Sequence, residues 1–309
     1  MSLLDLEPIL HVIRAQLPGS PPESLPPCEW AAALLAQKIL REPALPAPRQ
    51  RDWVQALQQA LQEAPPHDLH QLACISASLT AVGHPPAQVP VSFQNLREPG
   101  ELQQFLDKLT WSKDPQTAGR IAASIYSLLL YTDQLPSAWE AAWFGWFQRR
   151  VDDHSGLYHT GPATPVELLG QWTLWPYLAG HVPVLAVHEY AHQLHPYPWR
   201  LIDTLLDMME INWNLFCRDL EGREVPVMYA FCRSMSVTPH RQEECRQSLR
   251  RFSHRWVRYL REQLPTATPP PSVHLNILCA LAHLQRCLPG TFHSHRPLLP
   301  LQPLLPFFP

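Results

Sequence analysis

The sequence predicts an all-α fold, and three observations support that prediction. Apolar residues recur with helical spacing along most of the 309 residues, whereas strand-like alternation rich in Val, Ile and Thr is almost absent. Most of the 35 prolines lie between these apolar segments, where they end one helix and precede the next. A segment that begins at Gly119-Arg120 returns at Gly180-His181, which indicates that helical hairpins repeat along the chain.

The helical spacing predicts twelve helices, and they fall into two alternating classes. Segments such as 51–61 are polar on one face, whereas 72–79, 121–125 and 277–282 are apolar on nearly every side. A helix that is apolar all round must be surrounded by other helices. The predicted helices span 3–16, 28–41, 50–63, 67–82, 99–109, 115–132, 136–150, 178–194, 197–211, 224–237, 240–263 and 272–288.

Alternating inner and outer helices, in about six pairs, predict an (α/α)5–6 toroid with a central cavity. An open α-solenoid of helix pairs is the alternative, and it would favour a more uniform repeat length. We expect residues 46–290 to form the toroid and residues 1–45 to form an N-terminal helical extension or a first hairpin. The Pro- and Leu-rich tail, 291–309, is expected to pack on the toroid.

The composition narrows the classes of partner. The net charge of -3 comes without a basic stripe, so no nucleic-acid partner is expected. No stretch approaches the 18 or so apolar residues of a transmembrane helix, and Asp5 and Glu7 occupy the place where a signal peptide carries positive charge. Seven cysteines without a Cys-x-x-Cys pair fit reduced thiols. We therefore expect a cytoplasmic protein that holds a small molecule in its cavity; the oligomeric state is not predicted.

Two short motifs resemble those of the α/α-toroid superfamily, which includes terpenoid cyclases, protein prenyltransferases and toroid carbohydrate-active enzymes. Gln148 followed by Asp152-x-x-x-Gly156-Leu157-Tyr158 is similar to the turn that links helices in those proteins. The pattern from Trp111 to Gly119 is similar to openings in uncharacterised bacterial toroids. The resemblance covers about 50–290 and implies a toroid. Three motifs of these enzymes are not complete in this sequence. They are Asp-x-Asp-Asp of the class II terpenoid cyclases, Asp-Asp-x-x-Asp of the class I terpene synthases and Asp-x-Cys of the protein prenyltransferases.

In a closed toroid, the loops that enter the inner helices ring one mouth of the cavity. His181 and His274 are candidate general bases or acids, with Asp114 and Asp219 as their carboxylate partners. Arg120 and Arg223 would clamp a carboxylate or phosphate. The remaining candidate ligand-binding residues at this mouth are Asp68, His70, Trp111, Gln171, Trp172, Tyr229 and Asn276. The alternative is that these side chains cap helix ends.

A separate motif, His188-Glu189-x-x-His192, has the spacing of a zinc site on a helix. Glu210 or Glu221 would be a third ligand. The internal repeat aligns this motif with Ser127 to Tyr131, an ordinary helix end, and no edge strand for a peptide substrate is predicted.

These features support four hypotheses about function. The first is an enzyme that performs acid–base chemistry of the lyase, isomerase or cyclase type on an isoprenoid or other small organic substrate, without a redox cofactor. The others are a carbohydrate-active hydrolase, lyase or epimerase, a zinc hydrolase, and a non-catalytic binding toroid. Magnesium and zinc are the metals that these chemistries would use.

Overall fold

The all-α prediction is confirmed. A computed structural model describes residues 3–21, 24–40, 47–65, 67–86, 96, 98–132, 135–158, 174–211, 220 and 224–298. Its helices are α1 (Glu7–Gln16), α2 (Pro27–Ile39), α3 (Ala47–Glu63), α4 (Leu69–Ala81), α5 (Pro99–Lys108), α6 (Pro115–Tyr131), α7 (Ser137–Gln148), α8 (Leu174–Tyr190), α9 (Pro198–Ile211), α10 (Glu224–Val237), α11 (Gln242–Gln263) and α12 (Pro271–Cys287). None of the helices described here combines the length and the apolar character that crossing a bilayer requires.

The even-numbered helices contact one another in a cyclic order. α2 packs against α4, α4 against α6, α6 against α8, α8 against α10 and α10 against α12, and α12 packs in turn against α2. Long runs of consecutive residues are buried in α4, α6, α8 and α12, as their apolar composition predicts. In α11, by contrast, the buried residues form one stripe that includes Leu249, Phe252 and Trp256. The odd-numbered helices α3 and α9 pack against members of this cycle.

Among the described helices, α6 and α8 pack most closely, because glycines allow their two backbones to approach each other. A Cβ atom on Gly119 would lie 1.9 Å from the carbonyl oxygen of Gly180. A Cβ atom on Gly180 would lie 2.0 Å from the carbonyl oxygen of Pro115. The two glycines that open the copies of the sequence repeat are therefore in contact with each other.

The chain ends of the described region are joined by a short parallel pair, β1 (Leu4–Asp5) with β2 (Phe292–His293). Leu298 is buried, so the first residues of the predicted tail pack against the helices. Residues 299–309 lie outside the described residues. In the predicted N-terminal segment, α2 belongs to the cyclic order of helices.

The predicted helix 178–194 is wrong at both ends, since α8 runs from Leu174 to Tyr190. Its C-terminus is closed by two hydrogen bonds, from the Gln193 amide to the His188 carbonyl at 2.9 Å and from the His192 amide to the Glu189 carbonyl at 3.2 Å. This is the Schellman arrangement, in which the residue after the C-cap is left-handed. His192 takes that position with φ 54°, so the second histidine of the zinc-like motif is not on the helix.

Candidate functional site

Three histidines and a tyrosine gather beside α8, and we call them the imidazole cluster: His181, His188, His195 and Tyr158. His181 and His188 are seven residues apart on α8, which places them on one face. His195 follows the helix, and Tyr158 ends the turn that follows α7. The cluster therefore joins the end of the first repeat copy to the inner helix of the second.

Tyr158 and His195 each lie against the other three rings of the cluster. The ring of Tyr158 stacks on His181 with centroids 4.4 Å apart, and its hydroxyl lies 3.1 Å from Nε2 of His188. The centroid of His195 is 4.9 Å from that of His181 and 6.3 Å from that of His188. These distances place an acid–base pair, phenol and imidazole, directly beside two further imidazoles.

The cluster is buried, yet most of its ring nitrogens have no hydrogen-bond partner. His181 and His188 are inaccessible to solvent, and His195 is 5% exposed. Among the described residues, no group makes a hydrogen bond of normal geometry to either nitrogen of His181, to Nδ1 of His188 or to either nitrogen of His195. The backbone at Leu194 and Gly156 lies close enough to His188 and His195 to oppose part of the fall in their pKa values. A buried polar atom without a partner costs about 1–3 kcal/mol, and such atoms are rare in native proteins. These five atoms make the cluster a candidate binding site.

Burial also keeps the three imidazoles uncharged. It lowers the pKa of His188 to about 3, with a smaller contribution from Arg233, and that of His195 to about 3. The pKa of His181 lies well below its usual range because of burial and of the neighbouring His195 and His188. Burial raises the pKa of Tyr158. At neutral pH the cluster therefore consists of neutral imidazoles and a protonated phenol, which can accept and donate hydrogen bonds.

Tyr158 is held by a tight turn that packs on α9. The carboxylate of Asp152 accepts hydrogen bonds from the amide and the hydroxyl of Ser155, and Val151 forms a β-bridge with Tyr158. Gly156 has φ 71°, and a Cβ atom there would lie 2.6 Å from the amide nitrogen of Leu201. The Asp152 to Tyr158 motif is thus a structural turn that delivers the phenol to the cluster.

Aromatic side chains of α7 form an apolar wall against His188 and Tyr158. Phe144 meets His188 edge-on at 4.8 Å, and Phe147 meets Tyr158 at 4.9 Å. Trp143 lies 6.0 Å from His188. This apolar wall explains the low imidazole pKa values, because it offers no group that stabilises a charged ring.

His195 connects the cluster to the surface. It lines a groove of about 480 Å³, which we call the His195 groove, whose other lining residues are Gln148, Leu194, Pro196, Pro198, Trp199, Val237 and Thr238. The groove is mainly apolar, with one indole and a few polar groups. Its volume and its chemistry are those of small-molecule sites in general.

Several predicted mouth residues have structural partners instead. Asp114 and Asp68 are N-caps that accept hydrogen bonds from the amides of Thr117 at 3.0 Å and Gln71 at 3.1 Å. Trp111 packs on Trp146 with centroids 5.4 Å apart. Within the described residues, neither carboxylate has a hydrogen bond with a predicted catalytic histidine.

The remaining described candidates are distributed over separate sites. Nε2 of His274 lies 2.9 Å from Oε1 of Gln16. His274 is buried, and the buried Asn276 follows on the same helix. Tyr229 donates a 2.6 Å hydrogen bond to Glu189. The positive charge of Arg120 contributes to the low pKa, about 4, of His70, after burial as the main cause. The structure therefore brings only His181 of the predicted catalytic residues into the imidazole cluster.

The predicted zinc ligands are not gathered at one point. His188 is buried, whereas His192 and Glu210 are exposed, and Glu210 lines a different groove between α9 and α11. Within the described ranges, only Asp152, Asp153 and His154 place three ligand atoms within 4.8 Å of one another. Gln171, Trp172, Asp219, Glu221 and Arg223 lie outside the described residues.

The sequence analysis missed His195 and Tyr158 as site residues. The signal that was present is the seven-residue spacing of His181, His188 and His195. It did not point to a site because His195 lies beyond the end of α8, where helical spacing no longer applies. The sequence analysis names Tyr158 only as the last residue of the turn motif that begins at Asp152, because its contact with α8 depends on the fold.

Comparison with known proteins assigns no family: no family model, no curated protein and no solved structure gives a significant match to this chain.

Proposed function

We propose that the chain is an (α/α)6 toroid that acts as an acid–base enzyme on a small organic substrate. The cyclic contact order of the six even-numbered helices supports the toroid, since an open solenoid would leave α2 and α12 apart. No carboxylate of the described residues hydrogen-bonds to the cluster, and aromatic side chains pack against it. Both features favour lyase or isomerase chemistry over hydrolysis by paired acids.

One observation supports the chemistry above all others: the phenol of Tyr158 lies 3.1 Å from an imidazole nitrogen in a buried cluster that reaches a groove through His195. Lyases and isomerases remove one proton and deliver another. A neutral imidazole is the form that takes up the first proton, and a protonated phenol is the form that supplies the second, so substrate binding must raise the pKa of the imidazole from about 3 and lower that of the phenol. In this proposal the ring of His195, whose nitrogens are buried in the free protein, turns towards the groove to reach the substrate, and Tyr158 and His188 form the acid–base pair behind it.

The lining of the His195 groove defines the class of substrate. Leu194, Pro196 and Trp199 offer apolar and aromatic surface, while Gln148 and Thr238 offer hydrogen bonds. A largely apolar molecule with one polar group, such as a prenyl alcohol, fits this chemistry better than a polyhydroxylated sugar does.

The test is a thermal-shift panel with the full chain. Its ligands are prenyl alcohols, prenyl diphosphates with and without magnesium, and neutral and uronate oligosaccharides. A ligand at about one hundred times its Kd adds about 2.7 kcal/mol to the stability, which raises Tm by several degrees. We expect a prenyl ligand to raise Tm of the native chain, and His195→Phe to remove that shift. His11→Gln, at an exposed histidine of α1, is the matched control.

Two results of this panel would overturn the proposal. A shift with an oligosaccharide alone would place the carbohydrate-active class first. In the second, a prenyl ligand raises Tm while a separate assay of proton exchange or product formation finds no turnover. That result would identify a non-catalytic binding toroid.

A zinc enzyme is the second candidate, and the five unpartnered ring nitrogens favour it. Neutral imidazole is the form that binds zinc. Two imidazoles on one zinc place their ring centroids about 5–6 Å apart, close to the 4.9 and 6.3 Å found here. The rings would have to turn to bring three nitrogens together. In this proposal His181 and His195 replace His192 and Glu210 as ligands.

Metal analysis separates the two candidates. If zinc copurifies at one per chain and is lost in His181→Leu, the zinc enzyme is supported. A chain free of zinc that still shows the prenyl shift supports the acid–base enzyme.

A further inference from the structure

Two cysteines from the neighbouring helices α10 and α12 line a pocket to which Glu189 of α8 also contributes. Cys232 lies on α10 and is buried, while Cys287 is the last residue of α12 and is half-buried. Both are free thiols in this structure. The helices that carry them pack directly against each other.

The two thiols line one pocket, and they are not equivalent. Their interaction with each other is the main reason that the pKa of Cys287 is lowered and that of Cys232 is raised. Arg286 and Arg246 also lower the pKa of Cys287, whereas burial and the charge of Glu189 raise it. Cys287, the more accessible of the two, is therefore the sulfur at which a thiolate is favoured.

The pair faces a small pocket that is rich in positive charge. The pocket has a volume of about 180 Å³, and both cysteines line it together with Arg233, Arg246 and Arg286. Glu189 also lines it, but its carboxylate accepts the hydrogen bond from Tyr229 and lies 3.8 Å from Arg233. Arg246 in turn lies 3.9 Å from the exposed Glu243. Three guanidinium groups set against the two carboxylates of Glu189 and Glu243 leave one positive charge in excess beside Cys287, which favours a thiolate.

The other cysteines of the described region lie in a different environment. Burial raises the pKa of Cys28, Cys74, Cys245 and Cys279, so their thiols stay protonated. Reactivity towards oxidants follows thiolate character and access. Within the described residues, Cys287 alone combines a lowered pKa, access to a pocket and a second thiol in contact.

We propose that Cys232 and Cys287 form a peroxide-sensitive thiol pair that closes to a disulfide between α10 and α12. The Cys287 thiolate attacks one oxygen of hydrogen peroxide, which breaks the O–O bond, forms the sulfenic acid of Cys287 and releases hydroxide. The sulfur of Cys232 then attacks the sulfur of the sulfenic acid, and the second hydroxide leaves. The protons of the two thiols convert the hydroxides to water, so two thiols and one peroxide give one disulfide and two waters.

The first test uses the reduced full chain. Substoichiometric hydrogen peroxide is added, remaining thiols are blocked under denaturing conditions, and the peptides are mapped by mass spectrometry. We expect a Cys232–Cys287 peptide pair that lacks the mass of two hydrogens to form before any other oxidation product. Earlier oxidation of Cys28, or formation of a different cysteine pair, overturns the proposal.

Variants then assign the two roles. In Cys232→Ser, the sulfenic acid of Cys287 should persist and be trapped by dimedone, whereas Cys287→Ser should remove both the disulfide and the dimedone adduct. Cys279→Ser is the matched control on α12, and it should leave the disulfide unchanged. A dimedone adduct on Cys232 in Cys287→Ser, at the rate found for Cys287, would reverse the assignment and overturn the mechanism.

A measurement on the native chain covers the case in which a variant fails to fold. Limiting iodoacetamide at neutral pH should label Cys287 several-fold faster than Cys28, and Arg246→Gln should reduce that ratio. Equal labelling of the two thiols contradicts the thiolate environment on which the proposal depends.

Discussion

The two copies of the sequence repeat, α6–α7 and α8–α9, have the same architecture but treat their polar groups differently. Gly119 and Gly180 occupy matching positions and lie in contact. The repeat aligns Ser127 with His188. The hydroxyl of Ser127 donates to the carbonyl of Ala123 at 2.9 Å, within its own helix, whereas Nδ1 of His188 has no partner among the described residues. The first copy also holds buried polar atoms without a partner, Oγ of Ser124 and Nε1 of Trp143. The imidazoles of the second copy differ because they lie in one cluster, which is the basis for proposing a binding site there.

The tryptophans of the two copies also differ, in burial and in hydrogen bonding. Trp139, in the first copy, is fully buried and donates a hydrogen bond to the carbonyl of Leu96. Trp199, in the second copy, is 41% exposed and lines the His195 groove. The repeat thus predicts where an indole lies along the helix. Whether the indole is buried in the core or exposed at a groove depends on the residues around it.

The largest effect is expected where the two copies meet. Gly119→Leu would drive a side chain into the backbone of Gly180 and force α6 and α8 apart. We expect a loss of at least about 5 kcal/mol, which approaches the whole stability of many domains. Soluble yield and urea unfolding measure this loss. Gly145→Leu on α7 is the control, since its Cβ would approach only the flexible end of Arg149 at 3.4 Å; equal losses would refute the close contact.

Replacement of the two tryptophans tests the contrast between scaffold and site. Trp139→Ala removes a buried ring and should cost about 3–5 kcal/mol of unfolding free energy. Trp199→Ala should cost less than about 1 kcal/mol, because the ring is largely exposed, yet it should weaken binding of the prenyl ligand. Urea unfolding and ligand titration measure the two effects. If Trp199→Ala leaves ligand affinity unchanged, the groove is not the binding site.

The fold could be predicted from the sequence to a greater extent than the site. Helical spacing and proline positions depend on neighbours along the chain, so the class of the fold and most helix bounds were accessible. The end of α8 was not, because the Schellman closure at His192 uses a left-handed histidine where glycine is the usual signal.

The site depends on contacts between distant segments, which one sequence does not reveal. Tyr158 and His188 are thirty positions apart, and a turn held by Asp152 and Gly156 brings them together. Asp114 and Asp68 show the converse error, since residue type and position at a helix start suit a catalytic acid and an N-cap equally well. Only partners in space distinguish the two roles.

Acid should destabilise the second copy more than the first. The folded pKa of His188, about 3, lies below the ordinary value of about 6.5 for an unfolded histidine. Between about pH 6.5 and pH 3, His188 is protonated in the unfolded chain and neutral in the folded chain. Its contribution to the free energy of unfolding is therefore fully present above about pH 6.5 and is lost as the pH falls towards 3. Each such histidine contributes a slope of up to about 1.4 kcal/mol per pH unit.

The slope is measured by urea unfolding between pH 7 and pH 4. We expect His188→Leu to reduce the proton uptake on unfolding by about one, while Ser127→Ala, at the aligned position of the first copy, removes no titratable group and should leave it unchanged. An identical slope in the wild type and His188→Leu would show that His188 is protonated in the folded state.

The smallest expected effect on stability gives the sharpest comparison of function. The first copy holds two buried tyrosines, one bonded within that copy and one in contact with the second: Tyr126 donates to Glu140 at 2.6 Å, and the hydroxyl of Tyr158 lies 3.1 Å from Nε2 of His188. Because one hydrogen bond is lost in each case, Tyr126→Phe and Tyr158→Phe should both cost about 1 kcal/mol of unfolding free energy. Turnover of the prenyl substrate should fall by about a hundredfold or more in Tyr158→Phe alone, since general acid–base groups contribute about 10²–10⁴-fold. Equal turnover in the two variants would show that Tyr158 takes no part in the reaction and that the cluster serves for binding alone. Stability measurements on the same samples exclude unfolding as the cause of a difference in turnover.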